Sequence, residues 1–243
     1  MQRYFIDFSY NGKNYHGWQI QPNGITVQEK MQSALATVLR EPVEVVGAGR
    51  TDAGVHASMM IAHFEVEEEM ETSQLAYRLN RVLPYDIAVR RIYPVAADLH
   101  ARFSATSRTY HYFLHTAKDP FLAERSYETH YKLDFAAMNE AAAYLLSQTD
   151  FASFCKTGTD TKTTLCTVTH ACWRQLSETS WRFEITANRF LRNMVRAIVG
   201  TLIEVGRHRL STEDFQAVVK GRNRSGAGES MPAHALFLVD ITY

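Results

Sequence analysis

Cysteine is scarce in this chain. Cys155, Cys166 and Cys172 are the three present in 243 residues, and no two form a close pair of the zinc-binding type. An odd count without a disulfide framework argues against a secreted scaffold and suits a reducing, cytoplasmic setting. Net charge is missing too: 26 Lys and Arg balance 26 Asp and Glu, so no global basic field announces a nucleic-acid partner. The most apolar stretch, near residues 194–205, carries Arg196 and Glu204 and is too short to span a bilayer. The opening, Met-Gln-Arg-Tyr-Phe-Ile-Asp, alternates like a strand and lacks the apolar centre of a signal peptide. Histidines are scattered, and His111 and His115, four apart, fall in a stretch that reads as strand. No metal is expected. What is plentiful is core material, with 46% hydrophobic and 12% aromatic residues. That suits one large domain or two modest ones.

Charge is unevenly spread. Between residues 189 and 224 lie eight cations (Arg189, Arg192, Arg196, Arg207, Arg209, Lys220, Arg222 and Arg224) against three acids, Glu204, Glu213 and Asp214. Phosphate binding needs such local cations, not a basic whole. The acids at Glu65, Glu67, Glu68, Glu69 and Glu71 read as a solvated edge.

The most informative segment is residues 47–57, Gly-Ala-Gly-Arg-Thr-Asp-Ala-Gly-Val-His-Ala. It sets one carboxylate, Asp52, in a glycine-punctuated turn after an apolar run, with Arg50 before it and His56 after it. Glycines allow positive φ and close approach of backbone or ligand. One reading is a reactive carboxylate in a cleft. Another is a structural turn in which Asp52 bonds its own backbone. A dinucleotide site is disfavoured, because Asp52 occupies the place of the third fingerprint glycine and would repel pyrophosphate.

Strand and helix signals alternate along the chain. Strands are expected at residues 3–10, 43–46, 59–66, 87–93, 108–115, 166–176, 181–187 and 235–242. The pair 166–176 and 181–187 reads as a hairpin. Thr26-Val-Gln-Glu is a capping box that opens a helix to about Leu39. Further helices are expected at 74–83, stopped by Pro84, from a cap at Asp134 to 146, at 190–205 with Gly206 as C-cap, and from a cap at Ser211 to 220. Loops span 12–25, 151–164 and 221–232, lengths usually tied to function or disorder. Two similar successions of elements predict an α+β protein with halves at 1–104 and 105–243.

The Asp52 segment resembles the catalytic motif of the tRNA pseudouridine synthase A family. Three further blocks carry the resemblance. Residues 10–19, Tyr-Asn-Gly-Lys-Asn-Tyr-His-Gly-Trp-Gln, with Thr26-Val-Gln, are similar to the family's first block; residues 101–112, Ala-Arg-Phe-Ser-Ala-Thr-Ser-Arg-Thr-Tyr-His-Tyr, to its central block; and residues 188–200, Asn-Arg-Phe-Leu-Arg-Asn-Met-Val-Arg-Ala-Ile-Val-Gly, to its third. The blocks span nearly the whole chain in order. Ala235 stands where the family usually has glycine, and residues 153–168 match loosely.

The resemblance implies two ferredoxin-like halves forming a continuous antiparallel sheet with helices on one face and an active cleft between the halves. It implies conversion of uridine to pseudouridine on the 3′ side of the tRNA anticodon loop and stem, with no metal, no cofactor and a homodimeric assembly. The alternative is a noncatalytic RNA-binding or tRNA-folding protein on the same scaffold.

The chemistry explains the residue types. The bond from ribose C1′ to uracil N1 breaks, and a new one forms through C5, which loses its proton. Asp52 can attack the sugar, attack the base, or abstract a proton, and each route needs an ionised carboxylate. By resemblance Arg196 is the basic residue that favours that form. Tyr110 matches the tyrosine that contacts the target base. Extruding the base costs a few kcal/mol, and stacking on an aromatic ring returns roughly 1–3 kcal/mol. Arg50 can supply the remainder by filling the vacated space or holding phosphate, and it can also orient Asp52. Arg192, one helical turn before Arg196, and Arg108 complete the expected substrate contacts.

Overall fold

The alternating start of the chain becomes β1 (Gln2–Tyr10). It is buried on both faces at its centre, from Tyr4 to Phe8, and not on one face as simple alternation suggests. The structure, a computed structural model, describes residues 1–158 and 161–243; residues 159 and 160, in the expected 151–164 loop, lie outside that description. The chain forms two compact units, Met1–Thr106 with Phe237–Tyr243, and Ser107–Leu236.

In the first unit β1 pairs antiparallel with β3 (His56–Val66) and with β4 (Ile87–Val95). Buried Asp7 on β1 lies 3.3 Å from Arg91 on β4. The last strand, β9 (Leu236–Thr242), runs parallel to β3, with Phe237 opposite His56 and Leu238 opposite Ala57. The tail of the chain therefore returns to the first unit, a return that a division into 1–104 and 105–243 does not contain.

The expected strand at 43–46 is reduced to β2 (Val46–Gly47), paired with His63 and Ala62 of β3. Helix α1 (Val27–Leu39) takes the backbone groups a strand partner would have used. Gln32 Oε1 accepts from Val45 N–H at 3.2 Å, and Gln28 Nε2 donates to Val45 C=O at 2.8 Å. The capping box of α1 forms as expected, with Thr26 and Glu29 bonding reciprocally. Helix α2 (Thr72–Val82) starts earlier than expected, because Glu71 is its cap and accepts from Ser73 and Gln74 N–H. One acid of the supposedly solvated edge thus has a structural task.

In the second unit β5 (Ser107–His115), β8 (Ser180–Ala187) and β7 (Val168–Gln175) form an antiparallel sheet in the order β5-β8-β7. A two-residue strand, β6 (Tyr127–Glu128), runs parallel to the end of β5. Tyr110, Tyr112, Phe183, Ile185, Ala171 and Trp173 share the buried face. His111, Glu184, His170 and Cys172 lie on the other, half-exposed face. His115, placed with His111 by alternation, is fully buried, its Nδ1 2.9 Å from Ser126 Oγ.

Helices α3 (Phe135–Tyr144), α4 (Met194–Gly206) and α5 (Thr212–Lys220) complete this unit, with the expected caps Asp134 and Ser211 in place. Every residue of α4 is buried except Arg196 and Glu204. Burying a Leu, Ile, Val or Met side chain contributes about 1.5–3 kcal/mol, so α4 is the apolar anchor of the unit. Both units mix helices with strands paired mostly antiparallel, the α+β class expected. No helix among the described residues is long and apolar enough to cross a membrane.

Candidate active-site residues

Asp52 lies in the turn between β2 and β3, half-buried. The turn is pinned from outside by residues 10–18. Trp18 N–H donates to Thr51 C=O at 3.2 Å, and Gly54 N–H donates to Tyr15 C=O at 3.2 Å. Tyr10 Oη and Thr51 Oγ1 are 2.8 Å apart in the interior. Within the turn Val55 N–H donates to Asp52 C=O at 3.1 Å. Two glycines here take positive φ. Gly54 has φ +78°. Gly17 has φ +86°, and a Cβ there would stand 2.4 Å from Thr51 O. The turn and the 12–25 loop are thus one packed structure, which explains why that loop is long without being loose.

His56, the last polar residue of the motif, is buried. Its Nδ1 accepts from Gly12 N–H at 3.0 Å, and its ring stacks on Phe237 at 4.5 Å. Accepting at Nδ1 fixes the neutral tautomer with its proton on Nε2. Arg50 is exposed, and its Nε donates to Gln19 Oε1 at 2.8 Å.

The remaining expected residues lie in the second unit. Tyr110 on β5 is 9% exposed, with its ring edge-on to Phe190 at 5.0 Å. Arg108 on β5 donates to Asn188 C=O at 2.8 Å. Arg196, in the first turn of α4, is half-buried; its Nε donates to Met231 C=O at 2.6 Å, and Met231 N–H donates to its carbonyl at 3.2 Å. Arg192 is exposed and precedes the helix instead of lying one turn along it. The helix expected from residue 190 starts at Met194, because Asn193 takes φ +68°, and Asn193 Nδ2 is held 2.5 Å from Ser230 Oγ. Gly206 is the last helical residue, not the cap.

The basic excess of residues 189–224 is partly absorbed by structure. Arg207 and Arg209 both meet Glu204, at 2.8 and 3.6 Å, and Arg222 meets Asp150 at 3.0 Å. Arg224 holds Ala227 and Gly228 carbonyls and Ser230 Oγ, tying the 221–232 loop together. Among the described residues one group of potential metal donors occurs, His170, Cys172 and Glu184. No close pair of cysteines marks it, since its donors come from two strands and one is a carboxylate.

The sequence profile of the tRNA pseudouridine synthase family matches residues 8–104 and 141–243. The chain belongs to that family. The matched stretches contain Arg50, Asp52, Arg192 and Arg196, while Arg108 and Tyr110 fall between them. Full-length similarity covers that gap. A protein of Parabacteroides distasonis named tRNA pseudouridine synthase A is 58% identical over 100% of this chain and 96% of its own length. One of that name from Bacteroides fragilis is 55% identical over 100% of this chain and 97% of its own. A third, from Acetivibrio thermocellus, is 38% identical over the whole of both chains.

Proposed function

We propose that this chain isomerises uridine to pseudouridine on the 3′ side of the anticodon loop and stem of tRNA, with Asp52 and Arg196 as its catalytic residues. Family membership supports the reaction, and the observation that carries the residue assignment is the Asp52 turn. A half-buried carboxylate stands on a turn held at Thr51 and Gly54 by backbone bonds and at Thr51 by the Tyr10 hydroxyl. Such anchoring keeps a reacting group in one geometry, which is what a positioned nucleophile or base needs.

Uridine and pseudouridine are isomers, so the balance calls for no electrons and no phosphoryl donor. The N1–C1′ bond breaks, the C5–C1′ bond forms, C5 loses a proton and N1 gains one. Asp52 assists at C1′ or at the base, and Arg196 supplies positive charge. Tyr110 contacts the extruded base. With 9% of its surface exposed, it offers a narrow contact and not a broad stacking platform. Arg50, Arg108 and Arg192 meet phosphate and the space the base leaves. A-form RNA is read largely through phosphates, 2′-hydroxyls and shape, which suits these arginines. The same reading includes a homodimer and a cytoplasmic location.

The test is to incubate the protein with unmodified tRNA carrying tritium at uridine C5, then map pseudouridine. Tritium release with pseudouridine on the 3′ side of the anticodon loop and stem is expected. Tight binding of tRNA with no isomerisation would replace the proposal with the noncatalytic alternative.

A further inference from the structure

Three different metal-binding side chains converge on the half-exposed face of the second unit's sheet. His170 and Cys172 are two apart on β7 and so point to the same side. Glu184 on β8 is the direct antiparallel partner of Cys172. Their donor atoms all lie within 4.8 Å of one another. Cys172 Sγ is 3.2 Å from His170 Nε2, which is 3.5 Å from Glu184 Oε2. In a tetrahedral zinc site, bonds of about 2.0–2.3 Å place neighbouring donors roughly 3.3–3.8 Å apart. The strand register brings His170 Nε2 close to that spacing from both other donors.

We propose that His170, Cys172 and Glu184 form a binding site for a divalent transition ion, zinc above all, that clamps β7 to β8. An imidazole, a thiolate and a carboxylate together suit zinc, whereas a thiolate disfavours magnesium and calcium. The two anionic ligands neutralise the dication, and Cys172 releases its proton to solvent as the metal–sulfur bond forms. Glu184 is held for the task. Its side chain is 14% exposed, and its Oε1 accepts from Arg182 Nε at 2.9 Å, a contact that orients the carboxylate from outside. Arg174 Nε stands 3.4 Å from Oε2, the oxygen facing His170. This second guanidinium competes with the ion and makes the site weaker than a closed four-ligand centre. The Arg174 side chain is 60% exposed and free to turn to solvent when the ion enters. Three protein ligands leave one position for water. Tyr110 belongs to the opposite face of the same sheet, so the ion acts on the hairpin and not on the isomerisation.

The experiment titrates the purified full chain with zinc against a chromophoric chelator, and separately with cobalt. One equivalent is expected to bind, and cobalt is expected to show a thiolate-to-metal charge-transfer band with the strong visible absorption of tetrahedral coordination. Cys172→Ser should abolish that band and weaken zinc binding at least about tenfold, while Cys155→Ser and Cys166→Ser keep both. His170→Gln should weaken zinc binding similarly, and it serves if Glu184→Gln fails to fold after Arg182 loses its partner. No stoichiometric binding, or a band that persists in Cys172→Ser, would overturn the proposal.

Discussion

The Asp52 turn and the start of α4 each present one proposed catalytic side chain, and they do so in opposite ways. At the turn the scaffold is mostly backbone: Trp18 and Gly54 N–H groups bridge it to the 12–25 loop. At α4 the charged side chain is itself scaffold, because the Arg196 guanidinium bonds Met231 while Met231 bonds the Arg196 carbonyl. Geometry can therefore be disturbed at the turn with the charge left intact. At α4, geometry and charge change together.

A direct disturbance of the turn is Gly17→Ala. The added Cβ meets Thr51 O at 2.4 Å on a backbone with φ +86°. Strain of this kind costs on the order of 1–3 kcal/mol, with the clash in addition. A lower thermal midpoint and a fall in kcat are expected although Asp52 is untouched; wild-type stability and rate would break the link between the loop and the turn.

Next comes Arg196→Met, which removes a charged hydrogen-bond donor worth about 1.5–3 kcal/mol. The proposal expects kcat to fall roughly 10- to 100-fold, by the same relation between energy and rate. Arg196→Lys, which keeps charge but alters geometry, should fall between. If both variants lose stability in proportion to rate, Arg196 is scaffold alone.

Tyr10→Phe is milder. It deletes the contact with Thr51 Oγ1, 2.8 Å away, and should cost about 0.5–1.5 kcal/mol in denaturant unfolding. A rate loss of a few fold, matched by Thr51→Val and not doubled in the pair, would show that both act through one bond.

An effect on stability alone, with no expected change in rate, lies in the first unit away from the turn. Burial, then His100 and Arg3, lower the His63 imidazole from its ordinary 6.5 to about 4. Its Nδ1 accepts from Ala101 N–H at 3.1 Å, a bond that protonation removes. Between those pH values the unfolded chain binds the extra proton, so stability should fall as pH drops from about 6.5 towards about 4. Thermal midpoints of His63→Gln should be flatter across this window; identical slopes would contradict the assignment.

Much of this was legible in the sequence where the signal is local. The capping box at Thr26, the caps at Asp134 and Ser211 and the hairpin of β7 and β8 each depend on residues close in the chain. What was misread depends on distant partners. Residues 43–45 look like a strand, yet glutamines of α1 satisfy Val45. Residues 190–193 look like helix, yet Ser230 holds Asn193 in a left-handed turn, which takes Arg192 off the helix. The Asp52 turn was visible because its glycines mark it. Its dependence on Tyr10, Tyr15 and Trp18 was not, since no spacing rule joins residues about forty apart. The donors of β7 and β8 were hidden for the same reason, needing the register of two strands.

Isomerisation as proposed depends on the Asp52 carboxylate, and the decisive measurement is a single-turnover comparison of wild type and Asp52→Asn on unmodified tRNA. Asn keeps the size of the side chain and removes its charge. Isomerisation is expected to fall by at least about 10²- to 10⁴-fold, while tRNA affinity stays within a few fold. Pseudouridine forming at near wild-type rate in Asp52→Asn would contradict the account.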